Sequence, residues 1–111
     1  MSKASIIGAY NTKFGSFVVR DKETREITDP GASLYDLIIE AGQGAIADAG
    51  LEAKDIDAVY FGACSPSMFV NQEHLAPLGV MISKDLRFKP MTRCEAACAS
   101  SSVALYDALY T

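Results

Sequence analysis

Basic residues are in short supply in this sequence. Ten lysines and arginines stand against fourteen aspartates and glutamates, a formal charge of −4 over 111 residues. The two signs are interspersed, with no basic stripe and no aromatic–basic interleaving, which argues against nucleic acid as a partner. Any phosphate contact must therefore come from a local group of cations. Long apolar runs are missing too: none approaches the ~20 residues that a membrane-crossing helix needs, so no membrane association is expected. The opening residues, Met1-Ser2-Lys3-Ala4-Ser5-Ile6-Ile7-Gly8, lack the extended apolar stretch and cleavage site of a secretory signal. Cysteines number only three, Cys64, Cys94 and Cys98. An odd count at these spacings fits neither a disulfide framework nor a zinc site. The expectation is free thiols in a reducing cytoplasm, with no bound metal.

What the chain does have is apolar residues, half of the total. That composition supports a core, although a chain of this length buries a smaller share of its surface than a longer one and is marginal alone. Ala4 to Tyr10 is a short apolar run that reads as a first strand buried on both faces. The polar stretch Asn11 to Pro30 follows, within which Phe17-Val18-Val19 and Glu26-Ile27-Thr28 can pair as a small hairpin around Asp21-Lys22-Glu23-Thr24. Ser33 to Ala49 is the clearest helix. Ser33 with Asp36 three residues on resembles a capping box. Leu34, Leu37, Ile38, Ala41, Ala45 and Ile46 recur at helical spacing, and Gly50 stands where a left-handed cap is wanted. Gly42 and Gly44 inside that helix predict close approach of a neighbouring backbone.

Ile56 to Gly62 reads as a second strand, with Ala63 to Ser67 as the loop at its carboxyl end. Asn71 to Lys84 is expected to be a second helix, kinked or delayed by Pro77, with Leu75, Leu78, Val80, Met81 and Ile82 inward. Phe88 to Cys94 is a third strand. A third helix starts at Ala97 or Cys98 and runs through Val103, Tyr106 and Tyr110. The order β-α-β-α-β-α gives an α/β fold class, a parallel sheet covered by helices. The pattern stops at Tyr110-Thr111 inside a helix, so residues 1–111 are expected to be one partial domain.

The stretch Arg93-Cys94-Glu95-Ala96-Ala97-Cys98-Ala99-Ser100-Ser101-Ser102 carries the chemistry. A strand enters, small residues turn the chain, and a helix leaves with Cys98 at its start. Free N–H groups and the helix dipole stabilise an anion there, and the thiolate is the nucleophilic form of cysteine. The small neighbours let a thioester approach the backbone, at the strand ends where α/β sheets bind ligands. A cysteine in such a setting is most often a small packed hydrophobe, and composition alone favours that over a nucleophile. Cys64 and Cys94 read as packing thiols, Glu95 as solvated, and Met68, Phe69 and Met81 as core. His74, the only histidine, reads as a surface or second-helix residue. Lys13, Lys84, Arg87 and Lys89 could each reach a phosphate, or simply solvate a face.

The run Ala-Ala-Cys98-Ala-Ser-Ser-Ser-Val-Ala-Leu closely resembles the acylated-cysteine motif of thiolases. It is nearest to the branch holding sterol-carrier-type and archaeal acetoacetyl-CoA thiolases. Two further stretches agree in order. Ala4 to Gly8 through Thr12-Lys13-Phe14-Gly15 is similar to the family's first strand and the residues after it. Ala45 to Leu51 with Asp55 to Val59 is similar to its first helix and second strand. The resemblance implies a layered αβαβα fold and an acyl-CoA C-acyltransferase that cleaves 3-oxoacyl-CoA with CoA, or runs the reverse condensation. It makes Cys98 the acylated catalytic residue. CoA and acyl-CoA would be substrates, with no cofactor held permanently. A homodimer or tetramer, and in some members a small zinc-ribbon/OB-fold partner protein, are implied as well. The chain departs from the family at Ser101 or Ser102, where glycine is common and a Cβ narrows the acyl or pantetheine path. Its Asn11–Pro30 excursion is long for the family. The family's catalytic histidines and second cysteine have no counterpart here, and His74 matches none of them, so the segment alone should be inactive. The same fold and a similar nucleophile turn occur in β-ketoacyl synthases, and a non-catalytic thiolase-like scaffold is a further alternative. The Thr-Lys-Phe-Gly stretch favours the thiolase reading.

Overall fold

Parallel pairing of two short strands organises the molecule, a computed structural model that describes residues 3–111. β1 (Val19–Arg20) and β2 (Ile27–Asp29) form an antiparallel hairpin, followed by α1 (Leu34–Asp48), β3 (Val59–Gly62), the short α2 (Pro66–Val70), β4 (Met91–Cys94) and α3 (Ser100–Tyr110). Single 3-10 turns lie at Ala53–Asp55, Ala76–Met81, Lys84–Leu86 and Ala97–Ala99. β3 and β4 pair in parallel, with Val59 opposite Met91 and Gly62 opposite Cys94. The ladder is extended by Val59 N–H to the Pro90 carbonyl (3.0 Å) and Ala63 N–H to the Cys94 carbonyl (3.2 Å). Both strands therefore end at one edge. This is a small mixed α/β unit with short elements.

α1 is the helix its sequence announces. The Ser33 hydroxyl accepts from Asp36 N–H at 3.2 Å, and the Asp36 carboxylate accepts from Ser33 N–H at 2.9 Å. The Ser33 N–H, and the Ser33 hydroxyl donating to the same carboxylate at 2.9 Å, hold the Asp36 carboxyl below its usual range. At the other end Gly50 takes φ +70, and Leu51 N–H bonds back to the Ile46 carbonyl at 3.2 Å. The helix glycines do face close neighbours, but those are side chains rather than backbone: a Cβ on Gly42 would overlap Ile82, and one on Gly44 the ring of Tyr10.

The core is small. Leu86 and Leu75 are 1% and 2% exposed, joined by Ala76, Ile82 and Ala104. The Ala76–Met81 turn touches α1, β3 and β4, and α3 lies against both strands. A cavity of about 610 Å³ opens between α1, β3 and α3, lined by Ala45, Ile46, Val59, Tyr60, Ala104 and Leu105. The radius of gyration, 15.8 Å, exceeds the ~13 Å of a compact domain of this length.

Three expectations are corrected. Ala4 to Tyr10 is not a strand: Ile6 and Ile7 are exposed, and the segment is tethered by Ala9 N–H to the Asp48 carboxylate at 2.9 Å. A strand exists only through pairing of its backbone groups, and this run has no ladder among the described residues. Asn71 to Lys84 is not one helix. Asn71 ends α2 in the left-handed region at φ +55, and beyond it only 3-10 turns form around Pro77, which lacks an N–H. Leu75 and Ile82 are buried as expected, whereas Val80 and Met81 are exposed. The third strand starts at Met91 rather than Phe88, because Phe88 takes φ +65 and Pro90 precedes the ladder.

Replacing Ser33 by alanine is expected to lower stability by about 1 kcal/mol in urea unfolding, the usual cost of a lost serine cap. Asp36 adds a pH dependence. Its lowered pKa means the contribution is complete above the unfolded carboxyl value and disappears as pH falls through the lower folded one.

Candidate active site

Beyond Cys94 the chain makes a sharp elbow. Glu95 and Ala96 leave the strand, Ala97 takes φ +50, and the turn Ala97–Ala99 delivers the chain into α3. A residue with a Cβ rarely occupies that left-handed region, so neighbouring bonds must hold it. The Glu95 carboxylate accepts the Ala97 N–H. The buried Ser100 hydroxyl accepts the Ala96 N–H at 2.9 Å and donates to the Ala97 carbonyl at 2.7 Å. Ala99 N–H closes the turn on the Ala96 carbonyl at 2.9 Å. Cys98 sits in this turn, exposed, one turn ahead of α3.

β3 supplies the floor. A Cβ on Gly62 would overlap the backbone of Ser100 and Ser101, so only glycine lets the first turn of α3 come down on the strand end. After Gly62 the chain reaches Cys64, also exposed, whose thiol donates to the Ser65 hydroxyl at 3.8 Å. Cys64 and Cys98 thus leave the same carboxyl edge of the β3–β4 pair. The packing thiol expected at Cys64 is not found there. Cys94 does behave as a structural group: half-buried, it donates to the Phe61 carbonyl at 3.4 Å. Burial raises its pKa, and the Asp107 carboxylate adds to the rise.

Arg93 escaped the reading of the sequence. Its guanidinium bonds the Glu73 carboxylate at 2.8 Å and the Ala63 carbonyl at 3.1 Å, pinning the chain after β3 to the strand that feeds the elbow. Hydrogen bonds from Ser67 and then Arg93 keep the Glu73 carboxyl below its usual range. An arginine within a strand carries no sequence signal of such a clasp, since Glu73 is twenty residues away.

The remaining candidates lie elsewhere or play other parts. Glu95 is exposed, yet it is a turn ligand as well as a solvated group. Met68 and Phe69 are 82% and 79% exposed, not core. His74 is exposed between α2 and the Ala76–Met81 turn. Lys84, Arg87 and Lys89 precede β4 and so lie toward its amino end, away from the edge of Cys98. Lys89 there bonds the Lys54 carbonyl at 3.4 Å. Lys13 stands 5.5 Å from the centre of the Phe17 ring. Among the described residues no cluster of His, Cys, Asp and Glu could hold a metal ion, and no helix is long and apolar enough to cross a membrane.

The thiols should sort by reactivity. At neutral pH, iodoacetamide is expected to modify Cys64 and Cys98 ahead of Cys94 in the native protein, read by peptide mass spectrometry. Cys94 should follow only at a pH above that of an ordinary thiol, ~8.5. Equal labelling of all three at neutral pH would contradict the burial of Cys94.

No family model matches the chain. Curated proteins do, two acetyl-CoA acetyltransferases among them. The acetyl-CoA acetyltransferase of Methanothermobacter thermautotrophicus is 43% identical over 105 residues, 95% of this chain and 24% of the relative. The acetyl-CoA acetyltransferase of Methanocaldococcus jannaschii is 42% identical over 109 residues, 98% of this chain and again 24% of the relative. The chain spans about a quarter of the length of these proteins, and nearly all of it takes part in the match. An identity above two in five along nearly the whole chain is homology, and by sequence the chain is a relative of these acetyl-CoA acetyltransferases over about a quarter of their length.

Proposed function

We propose that this chain is the part of a thiolase that carries the acyl-accepting cysteine, and that Cys98 is that residue. The observation that supports it most is the placement of an exposed thiol on a left-handed elbow, between the carboxyl end of a parallel strand and the start of a helix. Ligands of α/β sheets bind at such strand ends. The β3–β4 pair with α1 and α3 would then be one part of a layered αβαβα fold, within an enzyme that is dimeric or tetrameric and can associate with a small zinc-ribbon/OB-fold protein.

In the proposed reaction the Cys98 thiolate attacks the keto carbonyl of a 3-oxoacyl-CoA. The tetrahedral adduct collapses with cleavage of the carbon–carbon bond. The acyl group stays on sulfur, and acetyl-CoA leaves after its enolate carbon takes a proton. Free CoA then attacks the thioester, carries off the acyl group and returns the thiol. Dividing the transfer in this way replaces one difficult step by two easier ones. Donors aimed at the developing oxyanion supply most of the stabilisation. We assign the base that deprotonates Cys98, and the acid that protonates the enolate, to residues outside this span. CoA is a substrate in this scheme, and no metal takes part. Both relatives are named for acetyl transfer, which favours a short acyl group. Ser101 and Ser102 are exposed in the first turn of α3, Ser101 at the rim of the cavity between α1, β3 and α3.

The test is incubation of the full-length protein with acetyl-CoA, read by intact and peptide mass spectrometry. One acetyl group on Cys98, removed by free CoA and absent from Cys98→Ala, is the expected result. A folded full-length protein that gains no acyl group on Cys98 would overturn the proposal and leave a scaffold.

A further inference from the structure

We infer that Ser100 is a positioning residue for Cys98: its buried hydroxyl holds the left-handed elbow that presents the thiol. This rests on the assignment of Cys98 as the acylated residue and extends it to a group that never meets the substrate.

Ser100 is 4% exposed and is the one polar residue buried among the described residues. A helix start asks no such thing of a serine, because the usual capping serine stands outside the helix and accepts from a following N–H. Ser100 instead reaches backward. Its Oγ accepts from Ala96 N–H at 2.9 Å and donates to the Ala97 carbonyl at 2.7 Å. One hydroxyl thus uses a donor and an acceptor on the two residues before Cys98. Those residues have the least ordinary backbone in the segment: Ala96 at φ −152, ψ 47, and Ala97 at φ +50. Alanine has no preference for the left-handed region and no side chain with which to hold itself there. The Ala97 carbonyl also receives the Ser100 N–H, so the peptide linking Ala97 to Cys98 is fixed at its oxygen from two directions. That peptide is planar, and fixing one end fixes the plane from which the Cys98 Cα departs.

Ser100 is itself held in place. Gly62 on β3 lies directly against its backbone, with no room for a Cβ, and α3 packs on both strands. The hydroxyl therefore relates the elbow to the sheet. Without it, Ala96 N–H and the Ala97 carbonyl lose the one partner that the sheet itself holds in place, and Ala97 is free to relax toward the right-handed region. The fold keeps its strands and helix while Cys98 changes direction.

The experiment compares wild type, Ser100→Ala and Ser100→Thr in the full-length protein. It follows acetylation of Cys98 by acetyl-CoA and, in parallel samples, alkylation of Cys64 by iodoacetamide. Misplacing a reacting group by about 1 Å costs up to ~100-fold in rate. The expected result is that Ser100→Ala slows Cys98 acetylation at least about tenfold and leaves Cys64 alkylation at the wild-type rate. Ser100→Thr, which retains the hydroxyl, is expected to recover the acetylation. Should Ser100→Ala fail to fold, Ser100→Cys keeps the volume while weakening both bonds, and it takes the same test. Acetylation at the wild-type rate in the variant lacking the hydroxyl overturns the inference, as does a general loosening in which Cys64 alkylation accelerates while acetylation slows. A folded wild type that acquires no acetyl group on Cys98 sinks the underlying assignment instead, and the positioning role with it.

Discussion

Gly62 opposite Cys94 closes the parallel ladder at a point where one strand presents no side chain. The first turn of α3 settles into that gap and rests on the strand end. Everything that distinguishes Cys98 depends on this contact. The register fixes where β4 stops, the stop fixes where the elbow begins, and the missing Cβ fixes how far the helix can descend. A one-residue slip would turn every side chain of β4 to the other face and carry Cys98 away from the edge it shares with Cys64.

Hydrogen bonds rather than ion pairs tune this region. The Arg93–Glu73 pair has one largely exposed partner, and such pairs contribute little to stability. Its effect is geometric, because the same guanidinium also binds the Ala63 carbonyl beside the ladder. The cysteines show the same economy of means. Cys94 faces inward under Phe61 and close to Asp107, which keeps it a thiol, while four residues later the elbow turns Cys98 to solvent.

The elements legible in the sequence were those whose signals are local. Ser33 and Asp36 declared a capping box, Gly50 a left-handed cap, and both appear as written. The hairpin around Asp21 formed because the Asp21 carboxylate accepts the N–H groups of Glu23 and Thr24 within the turn. The strand–elbow–helix order around Cys98 was readable from the small residues that flank it. What sequence could not convey depended on distant partners. The apolar run at Ile6-Ile7 has strand composition but no ladder, so composition alone misled. Leu75 and Ile82 were rightly inward, yet the helix drawn through them dissolved into 3-10 turns around Pro77. Arg93 looks ordinary in sequence, and its bond to Glu73 is visible only once the strands are paired; Ser100 has near partners, but they come within its reach only through the left-handed bend at Ala97.

The parallel pairing of β3 with β4 has a kinetic corollary. Val59 must find Met91 across an intervening stretch that holds one short helix and two 3-10 turns, and contacts so far apart in sequence form late, after the loop-closure entropy has been met. The elbow leans on that pairing through Gly62, so it can take shape only after the strands have met. Until then Cys98 belongs to a flexible coil and is no more distinctive than its two sister thiols. The fold thereby orders events in time, and the reactive arrangement of the cysteine arrives only with the finished sheet.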